Sequence, residues 1–435
     1  MSALLPAKLS RAYSPITGIV GELEECLALP DEPPLFRYAA SVGRSQQTPG
    51  DREHLGSMGG CSPDRRAAAA SAVGEAIERY SASTIDPARV RVATEDDLDG
   101  PAASVRDFRP FAAGQYDDPD FPFAAPSSDL PTPWIRGFRI RDGERYWLPA
   151  ELVALGDLRE FIHQPTSYTT STGTACAETL DDALVRGLCE VLERDAFMLT
   201  WMRGVMFPRL DLTGHVELVQ IERRFFGRSR LRCSAIDLSR VHGVPTVLAV
   251  VRAQEGVLGA LGVGAGAAPT IEEAWRKAVS EACSTRLAAA KLAVTRPGRT
   301  FDRRQDVASF DDHIQYYALA ERIAPAAFLD ASDCRSRAEE IAPLAGGAPG
   351  DWIDALLACV RRAGVEAYAV DLTAPDVRDL GLVVAKVLVP GLCMLDVAES
   401  ARFLGPARLW DWQPPQDATT SLPLGTLNPY PHPFP

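Results

Sequence analysis

The chain predicts a mixed α+β fold in one large domain, residues 1–435, and three observations carry that expectation. Charged amphipathic segments alternate with short apolar runs along all 435 residues. No Gly-, Ser- or Pro-rich linker divides them. The most apolar run, LVVAKVLVPGLCML from Leu382, suits a central strand. At 46% hydrophobic and 24% charged residues the chain is long enough to bury a large core. The formal net charge of −13 argues against bulk binding to nucleic acid or to an anionic membrane. No run approaches the length of a membrane span. Nine scattered cysteines without a C-x-x-C pair read as reduced thiols of a cytoplasmic protein, and the six histidines stand isolated in sequence.

Taken in order, SPITGIVGELEECLAL predicts a turn leading into a strand pair, and LFRYAASVG another strand. Residues 1–60 thus lead in, with a polar loop at Asp51–Gly60. Ser62 as N-cap and Pro63 at the first helical position then open an alanine-rich helix that runs through Arg79. Residues 95–133 hold little periodicity but many aromatics, which predicts an ordered, aromatic-anchored loop. WIRGFRI and RYWLPAEL form strands about the turn at Arg141–Gly143. LRCSAIDL and VPTVLAVVRA are strands. Gly262, Gly264 and Gly266 precede a helix starting near Pro269–Thr270. They invite a dinucleotide reading, yet close backbone packing beside phosphates explains them better, because no acidic residue follows at the expected distance. Residues 300–363 read as mostly helical. VEAYAVDL precedes the apolar run, and 426–435 form an extended, proline-rich tail.

The segment 170–202 organises the rest. Leu184, Leu188, Val191, Leu192 and Leu199 recur at helical spacing. Glu190, Glu193 and Arg194 then share one helical face. The same device recurs at Ser71, Glu75, Glu78 and Arg79. One such cluster ordinarily means a solvated face laced with salt bridges. Two of them inside apolar helices point instead to converging carboxylates. A buried ion costs several kcal/mol unless paired or bound to a metal. Hard divalent cations hold such oxygens together, so the pattern predicts a magnesium–nucleotide site. A di-iron centre would want Glu-x-x-His pairs, and neither copy has a His. Glu281 and Arg286 form a third acid–base set on an alanine-rich helix.

Together these pieces resemble the YcaO superfamily, and within it the streptolysin-type D component of thiazole/oxazole-forming peptide maturases. The resemblance rests on Ser71-x-x-x-Glu75-x-x-Glu78-Arg79, the STGTA loop at Ser171–Ala175, Glu190-x-x-Glu193-Arg194-Asp195, Glu281-Ala-Cys-Ser-Thr-Arg286, the DLTAPDV and VLVPGL segments, and the terminal P-x-P-x-P. It implies stacked β-sheets flanked by helices and an ATP- and Mg2+-dependent cyclodehydratase. Such an enzyme phosphorylates backbone amide oxygens of a ribosomally made precursor peptide, so that Cys, Ser or Thr side chains cyclise to thiazoline or oxazoline rings. By position, Glu75, Glu78, Glu190 and Glu193 would hold magnesium. Ser71, Arg79, Ser171, Arg194, Glu281 and Arg286 would bind nucleotide, and Pro431, Pro433 and Pro435 would reach the active site. Implied partners are the peptide, an E1-like leader-binding protein, a flavin-dependent azoline dehydrogenase and a second copy in a homodimer. Thr172 and Ser284 depart from the superfamily pattern. Thioamide or amidine formation on the same fold, and a non-catalytic scaffold subunit, are the alternatives.

Overall fold

The computed structural model describes residues 4–27, 32–43, 58–103, 105–158, 160–162, 164–423 and 425–435. Helix α1 (Ala7–Ala12) leads to β1 (Val20–Cys26), which pairs antiparallel with β2 (Phe36–Val42), and β2 with β3 (Met58–Ser62). Met58–Gly60, expected as loop, is therefore strand; the expected loop residues 51–57 lie outside the described residues. Helix α2 (Arg65–Ser83) starts two residues later than the sequence predicted. Asp64, not Ser62, is its cap, accepting from the Ala67 N–H at 2.7 Å. The Ser62 hydroxyl is spent accepting the Asp64 N–H, and a carboxylate complements the helix dipole better.

Strands β4 (Val90–Ala93), β5 (Thr132–Arg139), β6 (Arg145–Pro149) and β7 (Thr174–Ala177) begin a second sheet, and helix α3 (Leu180–Arg203) follows. Thr179 caps α3 by accepting from the Asp182 N–H, and Gly204, at φ +60°, ends it in the left-handed region. Next come β8 (Val205–Met206), β9 (Arg209–Asp211), α4 (Val216–Phe226), β10 (Leu231–Asp237), β11 (Thr246–Ala253), β12 (Leu261–Ala267) and α5 (Ile271–Thr295). The chain closes with α6 (Phe310–Tyr316), β13 (Arg335–Arg337), α7 (Pro349–Arg362), β14 (Tyr368–Asp371), α8 (Pro375–Asp379), β15 (Val383–Leu388), α9 (Ala407–Asp411) and β16 (Thr419–Thr420).

The sheets run β1-β2-β3, β4-β5-β14-β15-β7 with β6 on β5, and β12-β11-β10-β9-β13, with β16 pairing β8. The mixed α+β class holds. Residues 300–363 do not form the mostly helical stretch expected: α6 and α7 are joined by short 3-10 turns and β13. Pro325, Pro343 and Gly346–Gly347 break the helical pattern there. The aromatic loop is ordered as expected, with Phe111 packed on Phe121, Phe123 and Phe403.

Two cores meet along α3. Its first half, with Leu184, Leu188 and Leu192, packs beside β15 and α7; its second half, with Phe197, Leu199 and Trp201, packs against the third sheet. Helix α5 lies on β12 at unusually close range. A Cβ on Gly264 would sit 2.3 Å from the Ala282 nitrogen, and one on Gly266 2.2 Å from the Ala274 oxygen. The glycine run is a strand interior that lets a helix backbone approach, not a dinucleotide loop.

Gly264→Ala should therefore lower stability by about 1–3 kcal/mol, because the obstructing atoms are backbone. Gly74→Ala, where nothing lies within 4 Å, should be neutral or stabilising. Urea midpoints of the two variants check the contrast.

Candidate functional site

Three sheet edges converge on one cavity of about 1240 Å3. Among the described residues, the three larger sheets end there in strands with one unpaired side: β3, β7 and β12. Edge strands present N–H donors that need partners, and here glutamates supply them. The Gly59 N–H donates to Glu75 Oε2 at 3.0 Å, and the Cys176 N–H to Glu78 Oε1 at 2.7 Å. Gly173, just ahead of β7, donates to Glu190 Oε2 at 3.2 Å. Ala267 and Ala265 donate to Glu193 Oε2 at 2.9 Å and to Glu281 Oε2 at 2.8 Å. Each of these backbone bonds takes one oxygen of its carboxylate and fixes its direction.

Arg194 stands among them. Its guanidinium lies 3.5 Å from Glu190, 3.5 Å from Glu193 and 3.6 Å from Glu281, and it covers the Phe434 ring at 4.2 Å. Arg79 pairs with Glu75 at 3.4 Å. Glu193, fully buried, receives the Lys277 ammonium at 2.8 Å. Burial opposes ionisation of Glu193, but Lys277 and Arg194 hold its carboxyl below the usual range. Elsewhere burial wins. It pushes Glu78 up to about 8, helped by Glu75 and Glu190. Glu281 rises to about 7, and Glu75 also rises.

The structure brings most of the sequence-predicted residues together. Ser71, Glu75, Glu78, Arg79, Ser171, Glu190, Arg194, Glu281 and Pro435 line the cavity, as do Thr172 and Ser284. Glu193 lies just behind, against Lys277. Arg286 does not arrive: its guanidinium is 1% exposed, ion-paired with Glu32 and donating to the Leu258 carbonyl. Two residues matching one motif have thus parted, Glu281 facing the cavity and Arg286 the protein interior.

Of the tail prolines, only Pro435 reaches the cavity; Pro431 and Pro433 are buried short of it. The tail is pinned by Trp201 Nε1 donating to the Tyr430 carbonyl at 3.2 Å and by the Tyr317 hydroxyl donating to the Pro431 carbonyl at 2.5 Å. His432 stacks on His313 at 4.0 Å, beside Asp396. These histidines are isolated in sequence and meet only through the fold.

Two lysines went unread in the sequence. Lys277 is hidden among the charges of α5. Lys386 interrupts the apolar run of β15, an anomaly that could have marked it. Its ammonium donates to the Thr170 carbonyl at 2.5 Å, and burial lowers it to about 7.

The donor set fits a divalent cation with an anionic ligand. Glu75, Glu78, Glu190, Glu193 and Glu281 cluster with Arg79, Arg194 and Lys277; burial drives Glu78 and Glu281 upward, and neighbouring carboxylates add to it. Among the described residues, buried Glu193 Oε1 and Arg194 Nε have no hydrogen-bond partner and face each other at 3.5 Å. Hard oxygen ligands suit magnesium, and guanidinium groups suit phosphate.

A family model described as "YcaO cyclodehydratase, ATP- and Mg2+-binding" matches residues 59–393. An uncharacterized protein of the tfuA 3' region in Rhizobium leguminosarum bv. trifolii is 28% identical over 192 residues, which is 43% of each chain. Among solved structures, a heterocyclase in complex with substrate and cofactor superposes with TM-score 0.79 at 24% identity, covering 98% of this chain. YcaO from Methanopyrus kandleri, bound with AMPPCP and Mg2+, gives TM-score 0.62 at 18% identity and 91% coverage of both chains. The two solved structures show the fold. The chain spans 43% of the curated relative and 56% of the heterocyclase.

Glu78→Gln tests the electrostatics without any turnover. Folded Glu78 keeps its proton up to about pH 8, whereas the unfolded carboxyl loses it near 4.5, so the parent's relative stability falls as pH rises through that window. In chelator, melting curves should show the variant gaining on the parent across that window. Excess magnesium should then stabilise the parent and not the variant. A constant difference at all pH values would contradict the burial of this charge.

Proposed function

The chain belongs to the YcaO cyclodehydratase family, and on that footing we propose that it is an ATP- and magnesium-dependent enzyme that cyclodehydrates a ribosomally made peptide. A backbone amide oxygen of the peptide is phosphorylated and leaves as phosphate. A neighbouring Cys, Ser or Thr side chain closes a thiazoline or oxazoline ring. The observation that carries this reading is the convergence of five backbone-anchored glutamates, four lining one cavity and Glu193 just behind it, with Pro435 at the same cavity.

ATP with magnesium, when bound, supplies a transferable phosphoryl group and the charge neutralisation its transfer needs. The chain's own residues do the positioning. Glu75, Glu78, Glu190 and Glu193 would hold the metal with carboxylates whose direction backbone N–H groups fix. Arg79 and Arg194 would face the phosphates and stabilise developing negative charge. Ser71, Ser171 and Glu281 contact the nucleotide. Arg286 has no part in it, being matched by Glu32. Arg194 also ties the site to the tail, with its Nη1 3.5 Å from the Pro435 carbonyl oxygen. Held there, Pro435 would help orient the amide. The buried residues before it hold it in place, so little freedom is lost on catalysis. A tail end at the cavity supports ring formation over thioamide or amidine chemistry, and over a purely scaffolding role.

An E1-like partner captures the leader peptide, a flavin-dependent dehydrogenase can follow, and a homodimer acting in the cytoplasm is the family-derived assembly.

Glu193→Gln should cut ATP-dependent loss of water from the peptide by roughly 100-fold or more, read by mass spectrometry with partner and peptide present. Turnover near the parent's would remove Glu193 from the metal set.

Extending this chain by a single glycine after Pro435 displaces the end of the tail and leaves His432 and Phe434 seated. Ring formation should fall by roughly 100-fold or more, while melting temperature and nucleotide affinity stay with the parent. Unchanged ring formation would end the catalytic role of the tail.

A further inference from the structure

A second cavity, of about 280 Å3, adjoins the first. Thr170 and Thr172 line both, so one short loop is the wall between them. The loop is braced: Lys386 donates to the Thr170 carbonyl, and Thr170 and Thr172 hydroxyls meet at 3.1 Å. Beyond the wall the lining turns apolar and aromatic, with Phe108, Tyr168, Leu388, Met394 and Phe403. Tyr168 stacks on Phe403 at 4.5 Å, and its hydroxyl donates to the Ala401 carbonyl while accepting the Val397 N–H, so this surface is fixed in place. Lys386 also faces the cavity, but its ammonium is committed to Thr170.

Ring closure constrains what can sit here. The carbonyl attacked by a Cys, Ser or Thr side chain belongs to the preceding residue. If that carbonyl oxygen lies at the nucleotide, the side chain on the same residue must find space within a few bonds of it. The aromatic cavity across the Thr170–Thr172 wall offers that space. We propose that it receives the side chain of the peptide residue whose carbonyl is activated, and that it selects an apolar or aromatic side chain there. The proposal rests on the function proposed above and adds the rule by which the chain chooses its amides. The charged residues of the lining, Arg106, Asp107 and Arg109, are exposed at its rim, so a charged side chain seated deeper, against Phe108, Tyr168 and Phe403, would be desolvated.

The probes are N-acetyl-Phe-Ser-amide and N-acetyl-Glu-Ser-amide, offered to the full chain with magnesium and a non-hydrolysable ATP analogue and followed by saturation-transfer NMR. The Phe probe should bind roughly tenfold tighter or better. Ala407→Trp fills the cavity from an exposed position, so the fold should survive; it should abolish the preference while nucleotide affinity holds. Met394→Trp, at another lining position, should do the same and serves if the first variant fails to fold. Equal binding of the two probes, no binding of the Phe probe, or a preference unchanged in the filled variants overturns the proposal. Failure of the parent to bind the magnesium–nucleotide analogue overturns the proposed function itself, which nucleotide affinity measured separately will reveal.

Discussion

The capture of sheet-edge N–H groups by glutamates is the constraint on which the site depends. An edge strand left bare is a liability, and proteins usually cover it or charge it. Here β3, β7 and β12 turn their open sides toward one another, and α2, α3 and α5 each reach across with carboxylates. A hydrogen bond to a charged group contributes about 1.5–3 kcal/mol, less than the cost of taking an uncompensated carboxylate out of water. The backbone donors therefore aim the glutamates without fully neutralising them. That residual deficit is what would draw cations to the cavity.

Arg194 distributes the compensation. Sitting between carboxylates of two helices and resting on Phe434, it couples the end of the chain to the centre of the site. Its guanidinium has fixed planar geometry and does not deprotonate, which suits a position shared by several partners. A lysine there could satisfy one carboxylate at a time. Lys277, on the cavity wall, does just that for Glu193.

The legible part of the sequence was periodic. Glutamates three residues apart inside apolar helices announced a shared face, and the structure places Glu75, Glu78 and Glu190 on one cavity with Glu193 just behind it. The glycines of β12 announced a close approach, and α5 makes it. What depends on geometry across the chain was not legible. Nothing local distinguishes Glu281, which faces the cavity, from Arg286, five residues on, which faces Glu32. Ser62 and Asp64 are both good caps, and pairing in β3 decided between them. His313 and His432 are far apart in sequence, yet their rings stack. Lys386 was visible as a lone charge in an apolar strand, but its partner is a backbone carbonyl that no sequence pattern marks.

Helix α3 belongs to two cores at once, its first half to one and its second to the other. Helix formation is cooperative, so a continuous helix does not readily melt by halves. Loosening either core strips packing from a helix that the other still needs. The two regions are thus joined mechanically, and opening at one end is resisted by everything packed at the far end. In native-state hydrogen exchange such a helix reports as part of the slowest, global unit of unfolding, and the carboxylates it carries inherit that rigidity.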